Sequence, residues 1–324
     1  RRVAQPPPSS SAMNGRPDIS VVVPVYRDPD RAIALVKGNV ASPGSVREWI
    51  VVDDGSADGS FERMRETIGG IARVLSLDRN CGRASARNAG ARAASAEYLA
   101  FIDADCEPTS ATWLASHLSA WTPGVVASVG GVLGSGDDFW GRYQDEASLR
   151  RARQHAAGLT FIGSAANLVV SRDTFVASGG FDIGYEGYGF EDRDLLLRLQ
   201  AHGQVVWAPE ATVRHLDQLN LPGVASKLAE AAGAPASRFR TRFPDAYRAL
   251  GYAAVDCREH LFLRPAALLA PSLAGMLARL ADPWLARSAP PYWLWALVAR
   301  LTCGLAYLGG TRSAAVSRDM SNRP

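Results

Sequence analysis

Several motifs that mark common enzyme classes are missing from this chain of 324 residues. It contains no G-x-x-x-x-G-K-[ST] loop, no G-x-G-x-x-G after its first predicted strand, no G-x-S-x-G elbow and no H-E-x-x-H. These absences argue against a P-loop nucleotidase, a dinucleotide-dependent oxidoreductase, a serine hydrolase and a zinc protease. The chemistry must therefore be sought in less familiar patterns.

Lysine and cysteine are also scarce. Lysine occurs only at Lys37 and Lys227, and the formal net charge of +3 is too small to indicate a nucleic-acid surface. The four cysteines form no C-x-x-C pair and no zinc-ligand spacing, which favours a reduced setting. The first residues hold no apolar stretch that resembles a signal peptide. We therefore expect a cytoplasmic protein that does not bind nucleic acid.

What the sequence does contain is a regular alternation of apolar runs and helical stretches. Residues 1–17 are rich in Pro and Ser and predict a disordered tail. Short β-branched or apolar runs then predict four buried strands, at residues 19–25, 49–52, 72–77 and 98–102. Strands that alternate with helices in this way predict an α/β fold, with a mostly parallel, Rossmann-like sheet and helices on both faces.

Polar residues follow these strands where each one ends. The residues are Tyr26 and Asp28 after the first strand, Asp53 and Asp54 after the second, Asn80 and Arg83 beyond the third, and Asp103 and Asp105 after the fourth. The carboxyl ends of parallel strands meet at one edge of a sheet, where ligands of open α/β sheets bind. Four separate segments are thus expected to bring polar groups to one site.

The Asp103-Ala104-Asp105 segment could hold a hard divalent cation, which would neutralise a diphosphate. An Asp at such a position also caps helices and forms turns, so the motif alone leaves both interpretations open. His215 is predicted to lie just past a strand at residues 204–208, where a further metal ligand would be useful. The other histidines are expected to be structural.

A Gly-rich aromatic loop, Gly187-Tyr188-Gly189-Phe190, leads into Glu191 and Asp192 at a predicted helix start. A carboxylate stays ionised more easily at a helix N-terminus and can act as a general base there. Simple helix capping is the alternative. Residues 134–158 are polar and charged, and they predict a long excursion or lid.

Taken in order, these segments resemble glycosyltransferase family 2, which has the GT-A fold. The resemblance covers residues 18–216. The matching segments are Val21-Val22-Val23-Pro24-Val25-Tyr26, Val52-Asp53-Asp54-Gly55-Ser56, the NCGRASARNAG run from Asn80 to Gly90, Phe101-Ile102-Asp103-Ala104-Asp105, Gly179-Gly180-Phe181-Asp182 and Gly187-Tyr188-Gly189-Phe190-Glu191-Asp192.

The resemblance implies an inverting, metal-dependent transfer of a sugar from a nucleoside diphosphate, expected to be UDP. Asp192 would be the base and Glu191 would orient the acceptor. The other implied positions are Pro24, Tyr26, Asp28, Asp54, Arg83, Asp103 and Ala104 for the nucleotide sugar, and Asp105, His215 and Asp103 for Mn²⁺ or Mg²⁺. The Q-x-x-R-W motif of the processive synthases is absent, which favours a single transfer.

The resemblance also suggests a division of the chain. Residues 18–220 would form the catalytic domain, with a nucleotide-sugar half at 18–105 and an acceptor half at 106–220. Residues 221–324 are rich in Ala, Leu and Arg and predict a helical extension. The acceptor could be a glycan, a lipid-linked sugar or a small molecule, in bacterial glycan or natural-product biosynthesis.

The apolar stretches of the helical extension have two interpretations. Tyr292 to Leu308 falls short of the roughly 20 residues that span a bilayer, and Leu261 to Ala281 is interrupted by Pro265 and Pro271. The helices could rest on the inner face of the cytoplasmic membrane, with Trp284, Trp293 and Trp295 at the interface. They could equally pack on the catalytic core or on another subunit of an oligomer.

Two other functions fit parts of the pattern. A sugar-nucleotide nucleotidyltransferase can share this sheet, but it should carry a Gly-rich, basic loop after the first strand, and Pro24-Val25-Tyr26-Arg27-Asp28 is not one. A non-catalytic nucleotide-binding scaffold would be suggested by loss of Asp105 or Asp192, and both are present.

Overall fold

The computed structural model describes residues 18–40, 46–289 and 291–321. The tail predicted at residues 1–17 lies outside the described residues. In the described part of the chain, eight strands form one sheet. They are β1 (Ile19–Val25), β2 (Val46–Asp53), β3 (Arg73–Ser76), β4 (Tyr98–Ile102), β5 (Cys106–Pro108), β6 (Val125–Leu133), β7 (Asn167–Ser171) and β8 (Gln204–His215).

The sheet has the strand order β3-β2-β1-β4-β7-β6-β8-β5. The four predicted strands are confirmed as β1 to β4, and they run parallel to one another. β7 is antiparallel to both of its neighbours, β6 and β8 are parallel, and β5 pairs antiparallel with β8 at the edge. The parallel pattern is thus complete in the first half of the chain, and the second half makes the sheet mixed.

Helices cover both faces of the sheet. Those of the first 220 residues are α1 (Pro29–Asn39), α2 (Ser60–Ile68), α3 (Arg83–Ala93), α4 (Trp113–Ser119), α5 (Phe139–Ala156), α6 (Arg172–Ala177) and α7 (Glu191–Leu199). Successive residues of β1 point to opposite faces, so Val21 and Val23 pack with α1, α2 and α4, while Val22 packs with α3 and α7. Burial on both sides explains why this strand is apolar except at Ser20, whose hydroxyl donates a hydrogen bond to Glu48.

Two local predictions need correction. The predicted lid at residues 134–158 is mostly the 18-residue helix α5, which begins where the Asp138 side chain accepts a hydrogen bond from the Gly141 N–H. Its polar composition reflects a half-exposed helix rather than a loop. The predicted strand at 204–208 is the 12-residue β8, and His215 is its last residue rather than one beyond it.

The C-terminal region is helical, as predicted. Its helices are α8 (Leu221–Ala232), α9 (Ala234–Arg242), α10 (Pro244–Ala249), α11 (Arg264–Ala286) and α12 (Tyr292–Ser321). α8, α11 and α12 pack on one another, and aromatic residues of α5 join α11 and α12 in a shared apolar cluster. The region therefore rests on the helix that the sequence suggested would be a lid.

The predicted interruption of the first apolar stretch is wrong, because α11 continues through Pro271. Gly309 of α12 leaves room for the proline ring, since a Cβ there would lie 2.7 Å from the Pro271 Cγ. Leu261–Ala286 and Tyr292–Arg312 are both long and apolar enough to cross a membrane by length and composition, with mean hydropathies of 1.5 and 1.2. The second segment, at 21 residues, is thus longer than the sequence suggested.

Candidate active site

The ends of β1 and β2 form one wall of the candidate site. Pro24 is the penultimate residue of β1, and Tyr26 follows it with a side chain that is 42% exposed. Asp28 caps α1, where its carboxylate accepts a hydrogen bond from the Arg31 N–H at 3.4 Å. The structure thus brings the three predicted nucleotide contacts to one edge, although Asp28 also has the capping role that Asp often takes.

The two adjacent aspartates at the end of β2 have different surroundings. Asp53 accepts hydrogen bonds from Ser56 and Ser76, so it closes its own turn. Asp54 accepts a hydrogen bond from the Cys81 N–H at 2.8 Å, which fixes the loop before α3. Burial raises the pKa of Asp54, although this bond opposes the shift. Asp54 is therefore a buried carboxylate between two loops of the site.

A candidate metal group lies at the next strand end. One ligand atom from each of Asp105, His215 and Asp217 can be chosen so that all three lie within 4.8 Å of one another. The pairing of β5 with β8 explains this, because Cys106 lies opposite His215 and the Leu216 N–H donates to the Asp105 carbonyl at 2.7 Å. Two carboxylates and one imidazole are ligand types that could together hold a divalent cation.

Asp217 was missed by the sequence analysis. Its carboxylate accepts a hydrogen bond from Arg31, so α1 holds it in place. Burial would lower the pKa of His215, but the hydrogen bond and charge of Asp105, helped by Asp217, raise it. The position of Asp217, two residues after His215, was the only signal in the sequence that could have identified it.

Asp103 is not part of this metal group in the structure. Its Oδ1 accepts a hydrogen bond from the Arg87 Nη2 at 2.7 Å. Ala104 lies between Asp103 and Asp105 and is partly buried. Burial alone would raise the pKa of Asp103, but the charges of Arg87 and Arg83 lower it. The two predicted metal aspartates thus have different partners, which are Arg87 for Asp103 and His215 for Asp105. A ligand role for Asp103 stays a prediction.

Arg87 joins the two halves of the site. Its side chain is only 1% exposed, and its guanidinium lies 2.7 Å from Asp103, 3.3 Å from Asp192 and 3.7 Å from Glu191. Burial alone would lower the pKa of Arg87, but these three carboxylates raise it. Arg87 was not among the predicted site residues, although it lies one helical turn after Arg83. Its burial could not be read from the helical pattern.

Asp192 is held at three points. Besides Arg87, its Oδ2 accepts hydrogen bonds from the Ala165 N–H at 3.1 Å and from the Ser164 hydroxyl at 3.4 Å. Its side chain remains 19% exposed, whereas that of Glu191 is 4% exposed. Asp192 is therefore the more accessible of the two predicted catalytic carboxylates, and its orientation is fixed by hydrogen bonds.

Glu191 lies deeper and contacts arginines. Its Oε1 is 3.2 Å from the Arg83 Nε, and the Arg83 guanidinium lies 4.6 Å from the centroid of the Tyr188 ring. Burial and the charge of Asp192 raise the pKa of Glu191, against the opposing effects of Arg83 and Arg87. The structure thus places Glu191 where it positions arginines, and contact with an acceptor stays a prediction.

The residue before this pair has an unusual backbone. Phe190 has φ = 73°, in the left-handed region that bulky residues rarely adopt. Its ring is buried against Phe239, Tyr247 and Tyr252 of the C-terminal region. Such strain persists only where the surrounding structure imposes it, and it is concentrated at functional sites.

The chain is similar to known proteins in sequence and in fold. Residues 20–179 match the family described as "Glycosyl transferase family 2", and residues 139–220 match the "N-terminal domain of galactosyltransferase". The solved structure of a mannosyltransferase from Pyrobaculum calidifontis, in complex with GDP-Man and Mn²⁺, superposes with a TM-score of 0.59. It is 20% identical, and the match covers 96% of this chain and 89% of that one, which shows a shared fold.

Two curated relatives are more similar to this chain in sequence than the P. calidifontis mannosyltransferase is. The pre-mycofactocin glycosyltransferase of Mycobacterium tuberculosis is 31% identical over 258 residues, which is 75% of this chain and 51% of the relative. The validoxylamine A glucosyltransferase of Streptomyces hygroscopicus subsp. limoneus is 31% identical over 235 residues, which is 60% of this chain and 51% of the relative. The chain thus spans about half the length of these relatives. On the match over residues 20–179, the chain belongs to glycosyl transferase family 2.

Proposed function

We propose that this protein transfers a sugar from a nucleoside diphosphate to an acceptor hydroxyl, with a divalent cation at Asp105, His215 and Asp217. The observation that carries the proposal is the continuity of the site. Asp103 lies two residues before Asp105 of the metal group and pairs with the buried Arg87. Arg87 in turn contacts the oriented carboxylate of Asp192. A cation-binding group and a candidate base thus lie along one edge of the sheet.

The two ends of this site have different roles. Asp105, His215 and Asp217 would hold the cation, which would neutralise charge on the diphosphate leaving group. Asp192 accepts the proton of the acceptor hydroxyl, and its bonds to Ala165 and Ser164 keep one oxygen in place during that step. Attack from the side of the base, opposite the diphosphate, inverts the anomeric centre.

The nucleoside lies against the ends of β1 and β2 in this proposal. Tyr26 offers an exposed ring, and Asp54 supplies a carboxylate for a base N–H or a ribose hydroxyl. The remaining contacts to the nucleotide sugar in this proposal are Pro24, Asp28, Arg83, Asp103 and Ala104. UDP is our preferred nucleotide, and GDP is the second candidate because the P. calidifontis mannosyltransferase structure contains GDP-Man.

Calorimetric titration with UDP and GDP, with Mn²⁺ or with EDTA, tests the proposal. We expect binding that requires the cation. Asp105→Asn, His215→Gln and Asp217→Asn should each raise the Mn²⁺ concentration needed for nucleotide binding by about tenfold or more, because each removes a ligand.

Asp30→Asn is the matched control, because Asp30 is an exposed carboxylate on α1 that pairs with Arg63. Its nucleotide affinity should equal that of the unaltered chain. Cation-independent binding, or an unchanged Mn²⁺ requirement in all three ligand variants, would contradict the metal assignment.

We also propose that the outer face of α11 and α12 rests on an anionic lipid surface at the cytoplasmic side of the membrane. Large apolar residues are exposed there; they include Leu269, Leu280, Trp284 and Trp293 at 51–67%. Asp282 is the only acidic residue between positions 261 and 312, and it accepts a hydrogen bond from the Leu221 N–H. The exposed charges beside the apolar face are therefore arginines, which favour anionic lipid over a neutral partner.

A further inference from the structure

We infer that Arg31 of α1 binds the diphosphate of the donor, between the residues proposed for the nucleoside and those proposed for the cation. The inference rests on the proposed function, because it adds a residue to the donor site defined there. Arg31 was not among the predicted site residues, and its role follows from the contacts of its side chain.

The Arg31 side chain joins the two groups of the donor site. It lies in the first turn of α1, where its Nε is 3.4 Å from the Asp28 Oδ2 and its Nη1 donates a hydrogen bond to the Asp217 Oδ1. Asp28 is a proposed nucleotide contact, and Asp217 is a proposed cation ligand. A donor diphosphate links its nucleoside to the cation, so its path leads past the side chain that contacts both carboxylates.

The guanidinium of Arg31 keeps donors for a ligand. An arginine has five N–H donors in a planar fork, and within the described ranges the Nη2 of Arg31 makes no hydrogen bond. The side chain is 34% exposed, so a ligand can reach it. A cation at Asp217 would draw the charge of that carboxylate toward itself, which would release a further donor of Arg31 for a phosphate oxygen.

The charges around Arg31 explain why a guanidinium is useful there. The hydrogen bond and charge of Asp217 raise the pKa of Arg31, and the charges of Asp28 and Asp105 add to the effect, although burial opposes it. These carboxylates would repel a diphosphate, and a divalent cation alone cannot offset them together with the phosphates. Arg31 supplies additional positive charge at this place.

The other arginines of the site contact other carboxylates. Arg83 contacts Glu191, and Arg87 contacts Asp103 and Glu191. In the part of the chain that the structure describes, Arg31 is the only arginine within 4.0 Å of a carboxylate of the metal group. It is therefore the arginine best placed to act together with the cation.

Lys227 of α8 is the alternative source of positive charge. Burial alone would raise the pKa of Asp217, but the hydrogen bond and charge of Arg31 lower it, with a smaller contribution from Lys227. Glu230, one turn after Lys227, has a carboxylate so close to Gly187 that a Cβ there would lie 2.5 Å from its Oε1. That carboxylate offsets part of the charge of Lys227, which favours Arg31.

Titration with uridine and with UDP, both at a saturating Mn²⁺ concentration, separates a phosphate contact from a structural role. We expect Arg31→Gln to weaken UDP binding by about tenfold or more, because it removes a charge-assisted hydrogen bond, and to leave the affinity for uridine within about twofold. Arg31→Lys keeps the charge and should bind UDP more tightly than Arg31→Gln does. Guanosine and GDP replace this pair if the unaltered chain binds GDP more tightly.

Arg63→Gln is the matched control, because Arg63 pairs with Asp30 in the same first turn of α1. Its affinities for uridine and UDP should equal those of the unaltered chain. A loss of UDP binding in Arg31→Gln that more Mn²⁺ restores would assign Arg31 to the cation site and overturn the inference.

Two further results would overturn the inference alone. Equal losses for uridine and UDP in Arg31→Gln would show that Arg31 only shapes the site. Unchanged UDP affinity in Arg31→Gln, with a loss in Lys227→Gln, would assign the diphosphate to Lys227. Absence of UDP and GDP binding by the unaltered chain would instead overturn the proposed function, and this inference with it.

Discussion

Asp192 and Glu191 are neighbours in the chain, yet the fold gives their carboxylates different surroundings. Asp192 accepts hydrogen bonds from Ala165 and Ser164 and keeps an exposed part, whereas Glu191 is buried against Arg83. A proton acceptor must be reachable by the acceptor hydroxyl, and a residue that positions arginines need not be. The two carboxylates should therefore respond differently to the loss of charge.

Asp192→Asn should lower turnover by about 10²–10⁴-fold, the usual contribution of a general base. Its affinity for UDP or GDP with Mn²⁺ should change little, because the base contacts the acceptor. Product released by the unaltered chain should have inverted anomeric configuration, which NMR coupling constants measure. Glu186→Gln, an exposed carboxylate in the same loop, is the control. Near-normal turnover in Asp192→Asn, or retained configuration, would assign the base elsewhere.

The buried side chain of His117 is expected to make the free energy of unfolding depend on pH. The His117 Nε2 lies 2.8 Å from the Asn167 Oδ1, whose amide nitrogen donates to two carbonyls, so the Nε2 carries the proton. The Nδ1 accepts from the Ser128 hydroxyl, which also accepts from Trp121. Burial lowers the pKa of His117 to about 4, so the folded protein holds the ring neutral.

Since the pKa of His117 falls from 6.5 to about 4 on folding, the unfolded chain binds the extra proton first as pH falls. This contribution to stability is complete above pH 6.5 and decreases below it, by about 2 kcal/mol at pH 5. Urea unfolding at pH 7 and pH 5 should show His117→Gln to be less stable at pH 7 but less sensitive to acid. An equal loss in both proteins would show that His117 does not contribute to the acid sensitivity.

The sequence predicted some site residues and missed others for a physical reason. Asp105 was expected because it ends a run of buried residues, and strand ends meet at one edge. Asp217 depends on the register between β5 and β8, which distant parts of the chain determine. Arg87 was hidden because it is one of three arginines in an Ala-rich helix, where arginines are normally exposed, and only tertiary packing buries it.

At the scale of elements, the approach of α3 to the sheet explains that burial. Gly90 of α3 faces the sheet, and a Cβ there would overlap the Val22 Cγ1 of β1. Gly38 of α1 has nothing within 4 Å of the same position. The two glycines, one in the middle of α3 and one in the last turn of α1, thus have opposite environments, and they allow a direct comparison.

Gly90→Ala should destabilise the protein by about 1–3 kcal/mol, because the added methyl forces α3 away from β1. Gly38→Ala should stabilise it by up to about 1 kcal/mol through helix propensity alone. Denaturant unfolding measures both. Equal effects of the two changes would mean that α3 can move at little cost and that Gly90 does not determine the position of Arg87.

The C-terminal helices show where pattern reasoning was limited at the element scale. Pro271 was expected to interrupt a helix, since proline removes a hydrogen bond and clashes with the preceding turn. In α11 the ring instead fits against Gly309 of α12, a contact between residues far apart in sequence. The helical character was predictable from composition, but the continuity of α11 depends on a partner that no local window contains.

At the scale of the whole molecule, the exposed apolar face predicts membrane binding. The full chain should co-sediment with vesicles of phosphatidylglycerol, and less with vesicles of phosphatidylcholine, because its exposed charges there are arginines. Leu269→Gln combined with Leu280→Gln should weaken binding by about tenfold or more, since burying one such side chain is worth about 1.5–3 kcal/mol.

Val176→Gln combined with Ile183→Gln is the matched control, because both residues are exposed apolar side chains outside the C-terminal region. Vesicle binding should be unchanged in that variant. Absence of vesicle binding, together with a dimer in sedimentation velocity that the Leu269 and Leu280 changes dissociate, would assign the face to a second copy of the chain.

The left-handed backbone at Phe190 has a consequence for modularity. The two family matches end at residues 179 and 220, yet the ring of this strained residue is held by Phe239, Tyr247 and Tyr252, which all lie beyond them. Recombination that exchanges only residues 18–220 between relatives would separate the strained backbone of Phe190 from the three aromatic rings that pack against its side chain. Functional chimeras should therefore inherit α9, α10 and Tyr252 together with the loop before Glu191, so the crossover point lies beyond residue 252 and not at the end of the family matches.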